Sequence, residues 1–161
     1  MRKLLFLLVF IPLFSFSQSY KDVMSIGSVE MFMKVAIENG YEFDNVDEDE
    51  WVTYGYNIVR DSIKGNKSAK WIYYNQKDHR FSLAFSRTNI ISNFLGTDAD
   101  NSENPYDLIV KDIKEKCKYY KILNYKGTAY VTYSCSESSY KGKIGFVIEE
   151  GWGVIRHFPE E

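Results

Sequence analysis

Two cysteines, Cys117 and Cys135, and two histidines, His79 and His157, are the soft ligands and near-neutral titrating groups of this 161-residue chain. Their spacing matches no zinc or haem pattern. No nucleophile-elbow, H-E-x-x-H, P-loop or C-x-x-C motif accompanies them. No catalytic residue and no cofactor is therefore assigned, and a small hydrolase working through two dispersed carboxylates is the least favoured class. Two cysteines in an exported chain are most simply one disulfide, and Cys117 with Cys135 is expected to form it. His79 sits in a Lys-Asp-His-Arg turn and reads as solvated, whereas His157 falls near the end of the last strand-like run. Asp98, Asp100 and Glu103 share one short polar stretch and raise a calcium hypothesis. The turn glycine and closing glutamate of the EF-hand are missing, so no metal site is assigned and a solvated linker is preferred.

The elements that must hold these groups can be read from periodicity. Asn104 as N-cap, Pro105 at the first helical position and Asp107 in the first turn mark a helix start. Tyr106, Ile109, Val110, Ile113 and Cys117 then recur at helical spacing. Ala129, Val131, Tyr133 and Cys135 alternate with Tyr130, Thr132 and Ser134, the period of a half-buried strand. Each cysteine thus lies on the inward side of its element, and the bond would staple helix to sheet.

The first half repeats that order. Ile26, Val29, Phe32, Met33 and Ala36 form a helical stripe opened by Ser25 or Ser28 and closed by Asn39-Gly40. Strand-like runs follow at 41–43, 51–60, 69–75 and 80–86, and after the second helix at 119–123, 128–135, 143–149 and 152–158. Val52-Thr-Tyr54 matches Val131-Thr-Tyr133 at an offset of 79. The expected fold class is α+β, two helices on antiparallel sheet, arranged as a possible tandem repeat of helix plus four strands. Its parts are a signal peptide at 1–17, a first half at 18–95, a polar linker at 96–104 and a second half at 105–161, all in one compact domain. This element order is similar to that of the β-lactamase inhibitor protein and the TATA-binding protein; no motif is shared, and function does not carry across.

Arg2 and Lys3, the apolar run 4–14 and the small residues Ser15 and Ser17 make a secretory signal with cleavage near Ser17. About 11 apolar residues are too few to span a bilayer, which takes about 20, so no membrane span is expected in the mature chain. Removing 1–17 leaves 144 residues at a formal charge of −4. Mild acidity without a basic tract argues against nucleic acid or an anionic membrane as partner.

Aromatic residues make up 17% of the chain, 13 of them tyrosines, more than a core of this size requires. Sorting strands by face puts Val52, Tyr54, Tyr56, Ile58, Trp71, Tyr73, Phe81, Leu83, Phe85, Ile144, Phe146 and Ile148 toward the helices. Trp51, Thr53, Ile72, Tyr74, Tyr130, Thr132, Ile155 and His157 then fall on the opposite side, which an antiparallel sheet can leave open. Trp51, Tyr74, Tyr130 and His157 are the candidate binding residues. The expected function is an exported protein-interaction or inhibitor-type module using that aromatic face or the groove between the halves. A small-ligand or glycan binder is the alternative, and a homodimer could use the same surface.

Overall fold

The computed structural model describes residues 18–87 and 104–160. The proposed signal peptide, linker positions 96–103 and the calcium candidates Asp98, Asp100 and Glu103 lie outside the described residues.

Two short helices open the fold. α1 (Tyr20–Ser25) starts at a capping box in which Ser19 and Asp22 satisfy each other's backbone N–H groups. α2 (Val29–Glu38) starts at Ser28, whose hydroxyl accepts from the Met31 N–H. Four strands follow: β1 (Tyr41–Val46), β2 (Trp51–Tyr56), β3 (Lys70–Asn75) and β4 (Arg80–Ser86). α3 (Pro105–Lys116) begins where the sequence marks it, with the Asn104 side chain accepting from the Tyr106 N–H at 2.9 Å. Four more strands complete the chain: β5 (Lys118–Tyr125), β6 (Thr128–Ser134), β7 (Gly142–Glu149) and β8 (Trp152–Pro159). α1 was not anticipated, because six residues are too few to show a period. β2 stops at Tyr56, four residues before the end of its apolar run, because Asn57 turns into the left-handed region at φ 50°.

All eight strands form one antiparallel sheet in the order β1-β2-β3-β4-β8-β7-β6-β5. The order reads outward from the central β4–β8 pair as 4-3-2-1 on one side and 8-7-6-5 on the other. The helices pack on one face, α2 against β1 and β3, and α3 against β8 and α1. Between helices and sheet lie Phe32, Ile72, Phe81, Leu83, Phe85, Ile109, Ile113, Ile144 and Ile155, each at 1% exposure or less. The fold is thus mixed α and β, a single sheet with short helices. No described helix is long and apolar enough to cross a membrane.

Strand register corrects two of the face assignments. Val52 pairs with Tyr74 and Tyr54 with Ile72, so Ile72 and Tyr74 face the helices while Trp71 and Tyr73 face away. In β8, Ile155 pairs with Phe146 and His157 with Ile144, which turns Ile155 and His157 inward and Trp152, Val154, Arg156 and Phe158 outward. Paired residues of an antiparallel ladder share a face, and a shift of one residue exchanges the faces. The assignments within β2, β4, β6 and β7 stand, except that Ile148 is 57% exposed and Ile58, past the turn at Asn57, lies beside Trp71 at Gly55 on the outward face.

Gly153 shows how tightly α3 is seated. A Cβ there would collide with the ring of Tyr106, which is 2% exposed and whose hydroxyl donates to the Val147 carbonyl at 3.0 Å. Gly153→Ala is expected to destabilise the protein by about 2 kcal/mol, since the ring must leave its seat. Urea unfolding checks this as a fall in midpoint with unchanged slope.

Candidate functional site

The sheet face away from the helices carries all three tryptophans of the chain: Trp51 on β2, Trp71 on β3 and Trp152 on β8, each partly exposed. Between Trp71 and Trp152 runs a trough of about 480 Å³. Its floor is made of small side chains, Ser82 and Ala84 of β4 and Val154 of β8, so it follows the seam where the two sets of four strands meet. Trp71 and Tyr73 rise on one side, Tyr130 and Trp152 on the other, with Glu149, Glu150 and Arg156 supplying charge. Small residues under flanking aromatic walls leave a hollow that exists before any ligand arrives.

The second half of the sheet curls over this face. Gly145 has no side chain where a Cβ would meet the Phe158 ring at 2.8 Å and Tyr130 at 3.1 Å, so those two rings pack across β7 with centroids 5.3 Å apart. The curl carries the tip of the β5–β6 hairpin toward the first half, where Lys126 comes within 3.6 Å of Asp49. Both groups are mostly exposed, so the pair adds little stability and serves to show where the tip lies. A second hollow of about 250 Å³ opens beneath the tip; it shares Tyr130, Glu149 and Arg156 with the trough and extends to Trp51 and Tyr125.

Arg156 stands where the two hollows meet. Its guanidinium lies over three rings, 4.5 Å from the centroid of Tyr125, 5.4 Å from Tyr130 and 5.7 Å from Trp51. Its Nε–H donates to the Ser82 hydroxyl at 3.3 Å. Burial pushes the Tyr73 phenol up to about 12, with the nearby Arg156 charge opposing. Burial likewise raises Tyr130, again against Arg156. All of the trough's tyrosines therefore enter it as neutral hydroxyls at physiological pH.

Of the binding residues read from the sequence, Trp51 and Tyr130 are on this face. Tyr74 is not: it is 4% exposed in the helix-side core, stacked on Phe81 at 5.1 Å, with its hydroxyl 2.9 Å from Nδ1 of His79. His157 is also displaced from the site, fully buried beneath α1 between Phe81 and Tyr140. The residues missed were Trp71, Tyr73, Trp152 and Arg156. Local sequence carries no clear signal for them, since in β8 the charge of Arg156 stands beside the polar His157 and in β3 Trp71 to Tyr74 are apolar at every position.

Cys117 and Cys135 are bonded, with Cα atoms 4.6 Å apart, joining the end of α3 to the end of β6. No cluster of His, Cys, Asp and Glu suited to a metal ion occurs among the described residues. Compared with known protein families, with curated proteins and with solved structures, the chain matches none, so its site is read from its own residues.

Proposed function

We propose that the chain is an exported binding module, not an enzyme, which takes an extended segment of a partner protein in the trough along the β4–β8 seam. One observation carries this: Trp71 and Trp152 stand partly exposed around a floor of small residues, with Trp51 at the adjoining hollow, on the sheet face that no described helix covers. Tryptophan, tyrosine and arginine are the residues that dominate binding energy at protein interfaces, and this surface concentrates all three. Its lining contains no histidine or cysteine. The disulfide and the apolar leader support export. The strand order supports reading the halves as copies of one unit, since Val52 and Tyr54, like Val131 and Tyr133 79 positions later, face the helices. A trough on the seam would then be a product of joining the copies.

The test is to pan a random peptide library against residues 18–161 and, in parallel, against the variant Trp71→Ser/Tyr73→Ser/Trp152→Ser, with circular dichroism to show that both are folded. A peptide consensus that binds the parent is expected to lose about 30-fold or more in affinity for the variant, the cost of about 2 kcal/mol that interface anchors carry. Capture on a glycan panel, abolished by the same substitutions, would instead establish the glycan-binding alternative. Peptides that bind parent and variant equally would remove the trough from the reading.

A further inference from the structure

The trough holds a cation that makes no ion pair among the described residues. Among the described residues Arg60 pairs with Asp44, Arg80 with Asp78 and Arg87 with Asp107, each within ion-pair distance. Arg156 alone has no carboxylate partner, although Glu149 lines the same two hollows. Its Nε is committed to Ser82, and its two terminal nitrogens have no acceptor among the described residues. Three aromatic rings hold the guanidinium in place, which removes most of the side-chain freedom that ligand binding would otherwise have to freeze. A planar fork with both terminal nitrogens idle, fixed beside an aromatic-walled trough, has the geometry to receive a carboxylate end-on through two parallel hydrogen bonds.

We propose that Arg156 is the specificity anchor of the trough and that the segment it takes presents a carboxylate there, from an aspartate or glutamate side chain or a chain terminus, with the adjoining apolar group lying against Trp71 and Trp152. This rests on the reading of the trough as a binding surface. Charge selects a carboxylate over a phosphate: Glu149 and Glu150 line the same hollow, so a monoanion meets less repulsion than a dianion.

The probes are N-acetyl-phenylalanine, its carboxamide and phenyl phosphate, titrated into 15N-labelled residues 18–161 with the Arg156 Nε–H and tryptophan indole signals followed by NMR. The acid is expected to shift the Arg156, Trp71 and Trp152 signals and to bind about tenfold tighter than the carboxamide, the value of a hydrogen-bonded charge. Arg156→Met is expected to abolish that preference, so that acid and carboxamide bind the variant with equal affinity. If Arg156→Met fails to fold, Arg156→Lys keeps the charge and loses the fork, and acid binding is expected to weaken severalfold in it. Equal binding of acid and carboxamide to the parent overturns the anchor and leaves the trough standing. Phenyl phosphate binding tighter than the acid overturns the choice of carboxylate. Absence of any shift at the trough signals with all three probes overturns the anchor and the trough reading together.

Discussion

Lowering the pH from 7 to 4 is expected to remove about 3 kcal/mol of folding stability through one residue, His157, and His157→Leu is expected to abolish that contribution. The imidazole is fully buried, and neither ring nitrogen has a hydrogen-bond partner among the described residues. Burial disfavours the charged form and lowers the pKa from 6.5 to about 4. The backbone of Val23 and Phe81 lies close enough to oppose the shift, but without hydrogen-bond geometry it cannot offset burial. Tyr140, in ring contact at 4.9 Å, is raised to about 12 and stays neutral throughout.

The direction follows from proton counting. Between pH 6.5 and 4 the unfolded chain holds a proton on this histidine that the folded chain does not, so stability rises with pH in this window and is lost as pH falls through it. Below about pH 4 both states are protonated and the loss is complete. Carboxylates also titrate toward the acid end, so the measurement is a difference: urea midpoints of parent and His157→Leu at pH 7, 6, 5 and 4. The curves should separate progressively on acidification, with the variant the more stable at pH 4. At pH 7 the variant should equal or exceed the parent, because leucine replaces a buried polar ring whose nitrogens are unsatisfied. Parallel curves would place a partner on the imidazole.

The same residue shows where the sequence stops being legible. Helix α3 could be read nearly to its ends because capping and periodicity agree there: Asn104, Pro105 and Asp107 start it, and Tyr106, Ile109, Val110 and Ile113 are all buried. β4 was equally readable, with Phe81, Leu83 and Phe85 alternating with smaller residues. β3 and β8 are different. Trp71-Ile-Tyr-Tyr74 is apolar at every position, and Val154-Ile-Arg-His-Phe158 mixes classes, so neither strand announces its phase. Hydrogen bonding to neighbours sets it instead. The short turn after β3 closes with Asn75 paired to Arg80, which forces Tyr74 opposite Phe81 and hence inward. The site was half visible for that reason: Trp51 and Tyr130 lie on strands whose phase could be read, while Trp71, Tyr73, Trp152 and Arg156 lie on the two that could not. The trough itself is a property of pairing β4 with β8, residues about 70 apart, and no local pattern encodes it.

Replacing both cysteines by alanine is expected to cost about 3 kcal/mol and to lower the melting temperature by about 10 °C, from the chain entropy returned to an unfolded loop of this size. The residues are 18 apart, and the loop they close is the β5–β6 hairpin. This hairpin needs the constraint. β5 is the edge of the sheet, mostly exposed, and its pairing with β6 is interrupted between Tyr119 and Ile122. The bond closes the hairpin at its root, beside the Lys118–Ser134 pair on the far side of the interruption. Without it, β5 should fray before the rest of the sheet. Hydrogen exchange provides the check: amides of β5 should lose protection by more than those of β7 and β8, whereas a uniform loss would mean that the bond acts only on the unfolded state. The site gives a second readout, because Tyr125 and Tyr130, two of the three rings holding Arg156, ride on this hairpin. A loosened hairpin releases the guanidinium from its stack, so the alanine variant should bind N-acetyl-phenylalanine more weakly than the parent at a temperature where both are folded. The bond that holds the sheet's edge then also holds the anchor in position.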